Sequence, residues 1–258
     1  MGLIDSHAHL TFPELTDHVD EVLARCAEAG VDRVITIGIN VEDAGKAIGL
    51  AEKYAGRVHA AIGVHPHEVE KVTDADLAAM GKLWDHSSVV ALGEMGLDYH
   101  YDFANRDTQR SIFGQQLDLA AGRAKPLIIH CREAFGDVIR LLKDHGFVGR
   151  PVVFHCFTGT PDEALRVEEH GWRISFTGIV TFRRSTGLQK IAKIYPKNAL
   201  MIETDSPYLS PAPVRGKHPN EPAYVAHIAR FLAELRDVGF EELVEQTSRN
   251  TRQFFSLQ

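Results

Sequence analysis

Cysteine is scarce in this chain. Cys26, Cys131 and Cys156 are far apart, odd in number and never in a C-x-x-C pair. That argues against a disulfide framework and fits a reducing, cytoplasmic compartment. Long hydrophobic runs are missing too, and no stretch approaches the roughly 20 apolar residues of a membrane span. The N-terminus lacks a basic segment followed by a long apolar one, so no secretory signal is expected. Met1-Gly2-x-x-x-Ser6 formally matches an acylation pattern, but Leu3-Ile4 reads as a buried strand that cannot offer a free acylated end. Surplus positive charge is also absent: 28 Lys plus Arg stand against 35 Asp plus Glu, a formal charge of −7. A protein that coats duplex DNA through many phosphates should be basic. Any phosphate handled here must be held locally, by a metal or a few placed cations. No repeat, low-complexity tract or linker divides the 258 residues, which are 44% hydrophobic and 24% charged and read as one globular domain over 1–258.

What is present is a recurring alternation. Short β-type runs occur at Leu3-Ile4, Arg33–Ile37, Val58–Ile62, Val89–Leu92, Pro126–Ile129, Pro151–Phe154, Trp172–Phe176 and Leu200–Ile202. Stretches with helical periodicity separate them, such as Val19, Val22, Leu23, Cys26 and Ala27. The spacing leaves room each time for one strand, one helix and two loops, as parallel strands require. Eight such units predict a (β/α)8 TIM barrel. A doubly wound open sheet would need a Gly-rich turn after the first strand, and Asp5-Ser6-His7-Ala8-His9 stands there instead. Glu221–Arg236 and Phe240–Phe255 read as two closing helices.

Ionisable residues fall at the predicted strand ends: His7 and His9 after strand one, His65 and His67 after three, Glu94 at four, His130 at five, His155 at six and Asp205 at eight. In a barrel these converge on the C-terminal mouth, where catalytic groups sit. Residues two apart in extended chain face the same side, so His7 and His9 both look inward with Asp5 beneath them. An isolated H-x-H, or one imidazole after an apolar run, is usually a core residue. Four histidines and two carboxylates at five strand termini are not a core pattern. Neutral imidazoles with carboxylates suit divalent metals, and six ligands exceed the usual three of a single catalytic zinc. Two ions bridged by Glu94 account for the number, with zinc, manganese or magnesium as the candidates. His65-Pro66-His67 is either a catalytic or substrate element or the cap of a loop. Cys131 and Cys156 each follow a ligand-type histidine and are expected to point away from the axis.

Seven blocks carry a family likeness: Leu3–Leu10, Gly63–His67, Gly93–Tyr99, Pro126–Ala134, His155–Gly159, Glu203–Leu209 and Arg215–Lys217. Together they resemble the TatD family of metal-dependent deoxyribonucleases, a branch of the metal-dependent hydrolase barrels. The resemblance implies that His7, His9, Glu94, His130, His155 and Asp205 are metal ligands, the six that the strand ends select. Thr11 stands where the family usually has Asp or Asn, and the loop from Lys217 to Asn220-Glu221-Pro222 is one residue longer than the common pattern.

The expected chemistry is attack of a metal-activated water on a phosphodiester. Asp205 would accept the water's proton, His65 would serve the departing oxygen, and Arg132, Arg215 and Lys217 would neutralise phosphate. The negative total charge favours nucleic-acid ends or single strands over long duplex, with Tyr99, Tyr101, Phe157 or Tyr208 as stacking faces. Arg183-Arg184 read as a solvated helix start. Neither a membrane nor a stable protein partner is implied. The rival reading is an amidohydrolase or D-aminoacyl-tRNA deacylase, in which the same activated water attacks carbon. Many such sites bridge their metals with a modified lysine on strand four, whereas this chain has Glu94. A non-catalytic metal scaffold is the remaining alternative.

Overall fold

The computed structural model describes residues 2–258, so Met1 of the acylation pattern lies outside the described residues. Eight strands form one parallel sheet in sequential order: β1 (Leu3–Ala8), β2 (Val31–Gly38), β3 (Val58–Ile62), β4 (Val89–Asp98), β5 (Leu127–Arg132), β6 (Val152–Phe154), β7 (Arg173–Phe176) and β8 (Leu200–Ile202). Between and after them run α1 (Pro13–Thr16), α2 (Val19–Glu28), α3 (Val41–Lys53), α4 (Asp74–Leu83), α5 (Arg106–Ala121), α6 (Phe135–Asp144), α7 (Pro161–Glu169), α8 (Thr186–Ile194), α9 (Val225–Arg236) and α10 (Phe240–Phe255). This is the (β/α)8 barrel that the spacing predicts. All of β1 is buried.

Apolar runs become strands here because helices cover their outer faces while their inner faces meet across the barrel. The outer layer packs residues such as Val34, Ile62 and Leu92 against α-helical Leu23, Met80 and Leu117. Inside, Ile35, Ile37, Ala61, Ala91, Ile128, Val153 and Met201 fill the N-terminal half, joined there by Phe254 and Phe255 of α10. Helix starts are set by side-chain caps: Thr73 with Asp76 and Thr160 with Glu163 form reciprocal capping boxes, and Asn40 and Asn105 cap α3 and α5. The interior is therefore apolar below and free to be polar above.

Closure between β1 and β8 is made largely by side chains. Ser6 Oγ donates to the Ile202 carbonyl at 3.0 Å, and the Thr204 amide and hydroxyl donate to Asp5 at 2.9 and 2.5 Å. Two backbone bonds complete the seam: the Asp205 amide to the His7 carbonyl at 2.9 Å, and the His9 amide to the Ser206 carbonyl at 2.8 Å.

Strand four departs from expectation. It continues through Glu94 to Asp98, pairing Met95 with Ile129 and Gly96 with His130, after a register irregularity between Leu92 and Met95. Gly96 makes this approach possible. Its φ is +147°, and a Cβ there would collide with the His130 carbonyl oxygen. Gly96→Ala should accordingly cost about 3 kcal/mol or more in urea denaturation. Gly187→Ala, within α8 and with open space around it, should be neutral or stabilise by up to about 1 kcal/mol.

Candidate metal centre

The six expected ligands gather at the C-terminal mouth around Glu94, which is 2% exposed. Its Oε1 lies 2.6 Å from His130 Nδ1, 2.6 Å from His155 Nε2 and 3.5 Å from His65 Nε2. Its Oε2 lies 3.3 Å from His7 Nε2. Across the seam, Asp205 Oδ1 is 3.4 Å from His9 Nε2 and 3.7 Å from His7 Nε2. The His7 and His155 rings stack at 4.0 Å. The two oxygens of Glu94 thus face two half-sites, one of His7, His9 and Asp205 and the other of His130 and His155. Asp205 holds a left-handed φ of +54°, unusual for a non-glycine residue and a form of strain that collects at functional sites.

These residues fit a divalent cation. Both ring nitrogens of His7 are buried without a hydrogen-bond partner, as is Nδ1 of His9. Buried polar atoms left unpaired are costly, and a cation taking the imidazole lone pairs removes that cost. Ligand atoms of His7, His9 and Glu94 lie within 4.8 Å of one another, as do those of His65, Glu94 and His130. Nitrogen and carboxylate donors together suit zinc or manganese and do not exclude magnesium.

Charge in the cluster is already balanced. Burial would raise the Glu94 carboxyl, but His155, His65 and His130 outweigh it and hold the group well below the carboxylate range. Burial works against protonated His130 and His155 as well; the carboxylates beside them prevail and raise both. Asp205 is lowered against its own burial by His9, His7 and His155. His7 and His65, by contrast, are pushed toward neutrality by burial and neighbouring imidazoles, His65 to about 4. The His67 amide donates to His65 Nδ1 at 3.1 Å, so the His65 proton sits on Nε2, directed toward Glu94 and His130.

Two carboxylates that the sequence reading passed over stand behind the histidines. Asp98 Oδ2 accepts from His130 Nε2 at 3.0 Å and from His67 Nε2 at 2.9 Å. A carboxylate partner on Nε2 turns His130 Nδ1 to the centre. Glu203 lies 3.4 Å from His155 Nδ1, accepts the Cys156 amide at 2.6 Å and takes the Ser6 hydroxyl at 3.2 Å. Such partners orient ligands and set their basicity. Both lie inside the blocks that drew attention to Glu94 and Asp205, and their spacing from those residues, four and two positions, was the available signal.

The expected phosphate-binding cations stay outside the cluster. Arg132 is exposed at the end of β5 with its guanidinium 4.8 Å from the Tyr101 ring, Arg215 packs 4.1 Å over Phe182, and Lys217 is exposed on the loop after β8. Arg183 and Arg184 are exposed. Of the aromatic residues, Phe157 is buried and the Tyr99 hydroxyl is tied to Asp137 at 2.6 Å, whereas Tyr101 and Tyr208 are exposed. Burial raises the thiols of Cys131, to about 12, and Cys156, which leaves both unreactive.

The family model described as TatD related DNase matches residues 4–256. The chain belongs to this family. It is 38% identical over 255 residues to an uncharacterized metal-dependent hydrolase, YabD, of Bacillus subtilis, with 99% of each chain covered. It is 35% identical over 259 residues to the 3'-5' ssDNA/RNA exonuclease TatD of Enterobacter lignolyticus, again covering 99% of each. The crystal structure of YJJV, a TatD homologue from Escherichia coli K12, superposes with a TM-score of 0.93 at 30% identity, covering 99% of this chain and 98% of that one. The protein is a TatD-family metal-dependent hydrolase.

In metal-free protein this cluster makes stability depend on pH in two directions. The depressed Glu94 contributes above its ordinary value of 4.5, and that contribution is lost as pH falls through the lower folded-state value. Raised His130 and His155 contribute fully below 6.5 and lose it as pH rises through their folded-state values. His7 and His65, both lowered, work the other way and weaken the fold as pH falls below 6.5. Chelated protein should therefore show its highest thermal midpoint near 6.5, falling both toward 4.5 and toward alkaline pH, and added zinc should raise the midpoint most on the alkaline side. A flat profile across that range would contradict the charge balance described.

Proposed function

We propose that the whole chain, 1–258, is one hydrolase barrel that cleaves nucleic-acid phosphodiesters, DNA foremost, from accessible ends or single strands. The observation that carries this reading is Glu94: a buried carboxylate on β4 whose two oxygens face separate clusters of imidazoles, in a chain of the TatD related DNase family. His7, His9 and Asp205 would hold one divalent ion and His130 and His155 a second, with Glu94 shared between them. Zinc, manganese or magnesium bound there would polarise a phosphodiester oxygen and acidify a water for in-line attack.

The chain's own groups supply the rest. Asp205, kept ionised by the histidines around it, would accept the attacking water's proton. His65 directs an Nε2–H into the centre and would stabilise the departing oxygen. Arg132, Arg215 and Lys217 at the rim would neutralise flanking phosphates, the arginines through their planar fork. A formal charge of −7 opposes binding along duplex and leaves recognition to this local set. Relatives named as 3'-5' ssDNA/RNA exonucleases support the same direction. Unpaired cysteines suit a cytoplasmic setting, and no helix among the described residues is long and apolar enough to cross a membrane.

Two measurements test the proposal. Purified protein loaded with zinc or manganese should hydrolyse bis-p-nitrophenyl phosphate and shorten end-labelled single-stranded oligonucleotides faster than duplex, while leaving dihydroorotate and hydantoins intact. Activity on the cyclic amides alone would overturn the nuclease reading. Glu94→Ala should abolish turnover and weaken metal binding by about a hundredfold or more in calorimetric titration while the barrel stays folded. His18→Ala, on the exposed start of α2, should change neither.

A further inference from the structure

Exposed aromatic rings need an explanation when the fold does not supply one. Tyr101 and Phe103 lie in the loop between β4 and α5, at the same mouth as the metal centre. They are 40% and 63% exposed, whereas their neighbours Tyr99 and Ala104 are partly buried against the hydrophobic core. Their rings stack on each other at 5.2 Å with 27° between planes. The Arg132 guanidinium sits 4.8 Å from the Tyr101 ring. The His67 ring stands edge-on to Phe103 at 4.8 Å and to Tyr101 at 5.7 Å. From His67 the path inward is short: Nε2 to Asp98 Oδ2 at 2.9 Å, Asp98 to His130 Nε2 at 3.0 Å, and His130 Nδ1 to Glu94 at 2.6 Å.

The loop that carries the rings is fixed. Asp98 Oδ1 accepts the amides of His100 and Tyr101 at 2.9 and 3.1 Å. Fully buried Gln109 holds the Asp98 and Ala104 carbonyls at 2.9 and 3.0 Å, and the Asn105 amide donates to Glu70 at 2.7 Å. The apolar pair is thus pre-organised, and a ligand that stacks on it meets little ordering cost. The same Asp98 that anchors the loop also anchors His130, so the pair has a fixed position relative to the reacting centre.

Resting on the nuclease reading above, we propose that Tyr101 and Phe103 form a base-stacking subsite for the nucleobase flanking the scissile phosphate of a single-stranded nucleic acid, with Arg132 on an adjoining phosphate. Flat π-faces beside a guanidinium are the pairing that single strands use, because every base has a face to stack and every linkage a charge to neutralise. A paired base, occupied on both faces by its neighbours in the duplex, cannot reach such a platform without being unstacked.

The test compares parent, Tyr101→Ala/Phe103→Ala and Phe103→Trp proteins, each loaded with manganese, on a single-stranded oligonucleotide and on the same strand made abasic at its terminal positions. For the double variant, KM on the base-containing strand should rise roughly tenfold or more, while KM on the abasic strand, thermal midpoint and bound manganese match the parent. Phe103→Trp should retain the parental KM. Unchanged discrimination between the two strands in the double variant would overturn the subsite while leaving the nuclease reading intact. Failure of the parent to cleave either strand would sink both.

Discussion

A carboxylate buried among imidazoles is the interaction on which this molecule is organised. Glu94 is too deep for water to solvate its charge, so positive charge must come from His130 and His155 or from a cation in their place. That requirement draws strands one, four, five and six to one point. It also accounts for the irregular course of β4, which brings Glu94 inward and still continues far enough to present Asp98 behind His130.

The barrel supplies this centre by dividing its interior. Ile35, Ile37, Ala61, Ala91, Ile128, Val153 and Met201 make an apolar floor, joined by the end of α10, and polar groups are confined to the layer above. Within that layer charge is graded. Glu94 and Asp205 are held ionised, His7 and His65 neutral, and His130 and His155 protonated until something else neutralises their carboxylate. Neutral nitrogens facing ionised oxygens are what a divalent ion needs from its ligands.

Much of this was legible in the sequence because it rests on periodicity. Apolar runs at regular spacing gave the eight strands, Val58–Ile62 and the helix Phe240–Phe255 to the residue. Strand-end histidines pointed to the mouth because parallel strands in a barrel all finish there. The extension of β4 was not legible, since its apolar run ends at Leu92 and only the close approach of Gly93 and Gly96 to β5 reveals them as part of the strand. Asp98 and Glu203 escaped for a related reason. Each stands close in sequence to a strand-end carboxylate, but a group acting behind a histidine shows its role only once the ring it supports has been placed. His65 lies three residues beyond the end of β3, yet its ring reaches Glu94 through the turn that His67 closes.

The seam between β1 and β8 carries one more implication. The backbone bonds that join His7 to Asp205 and His9 to Ser206 close the barrel and also set the distance between these side chains. β1 is synthesised before every other strand of the barrel and β8 after them, so the two sides of the centre cannot meet until β8 has emerged. A copy sprung open at this join would hold His7 and His9 apart from Asp205, so the cluster is a product of barrel closure and not of any one strand.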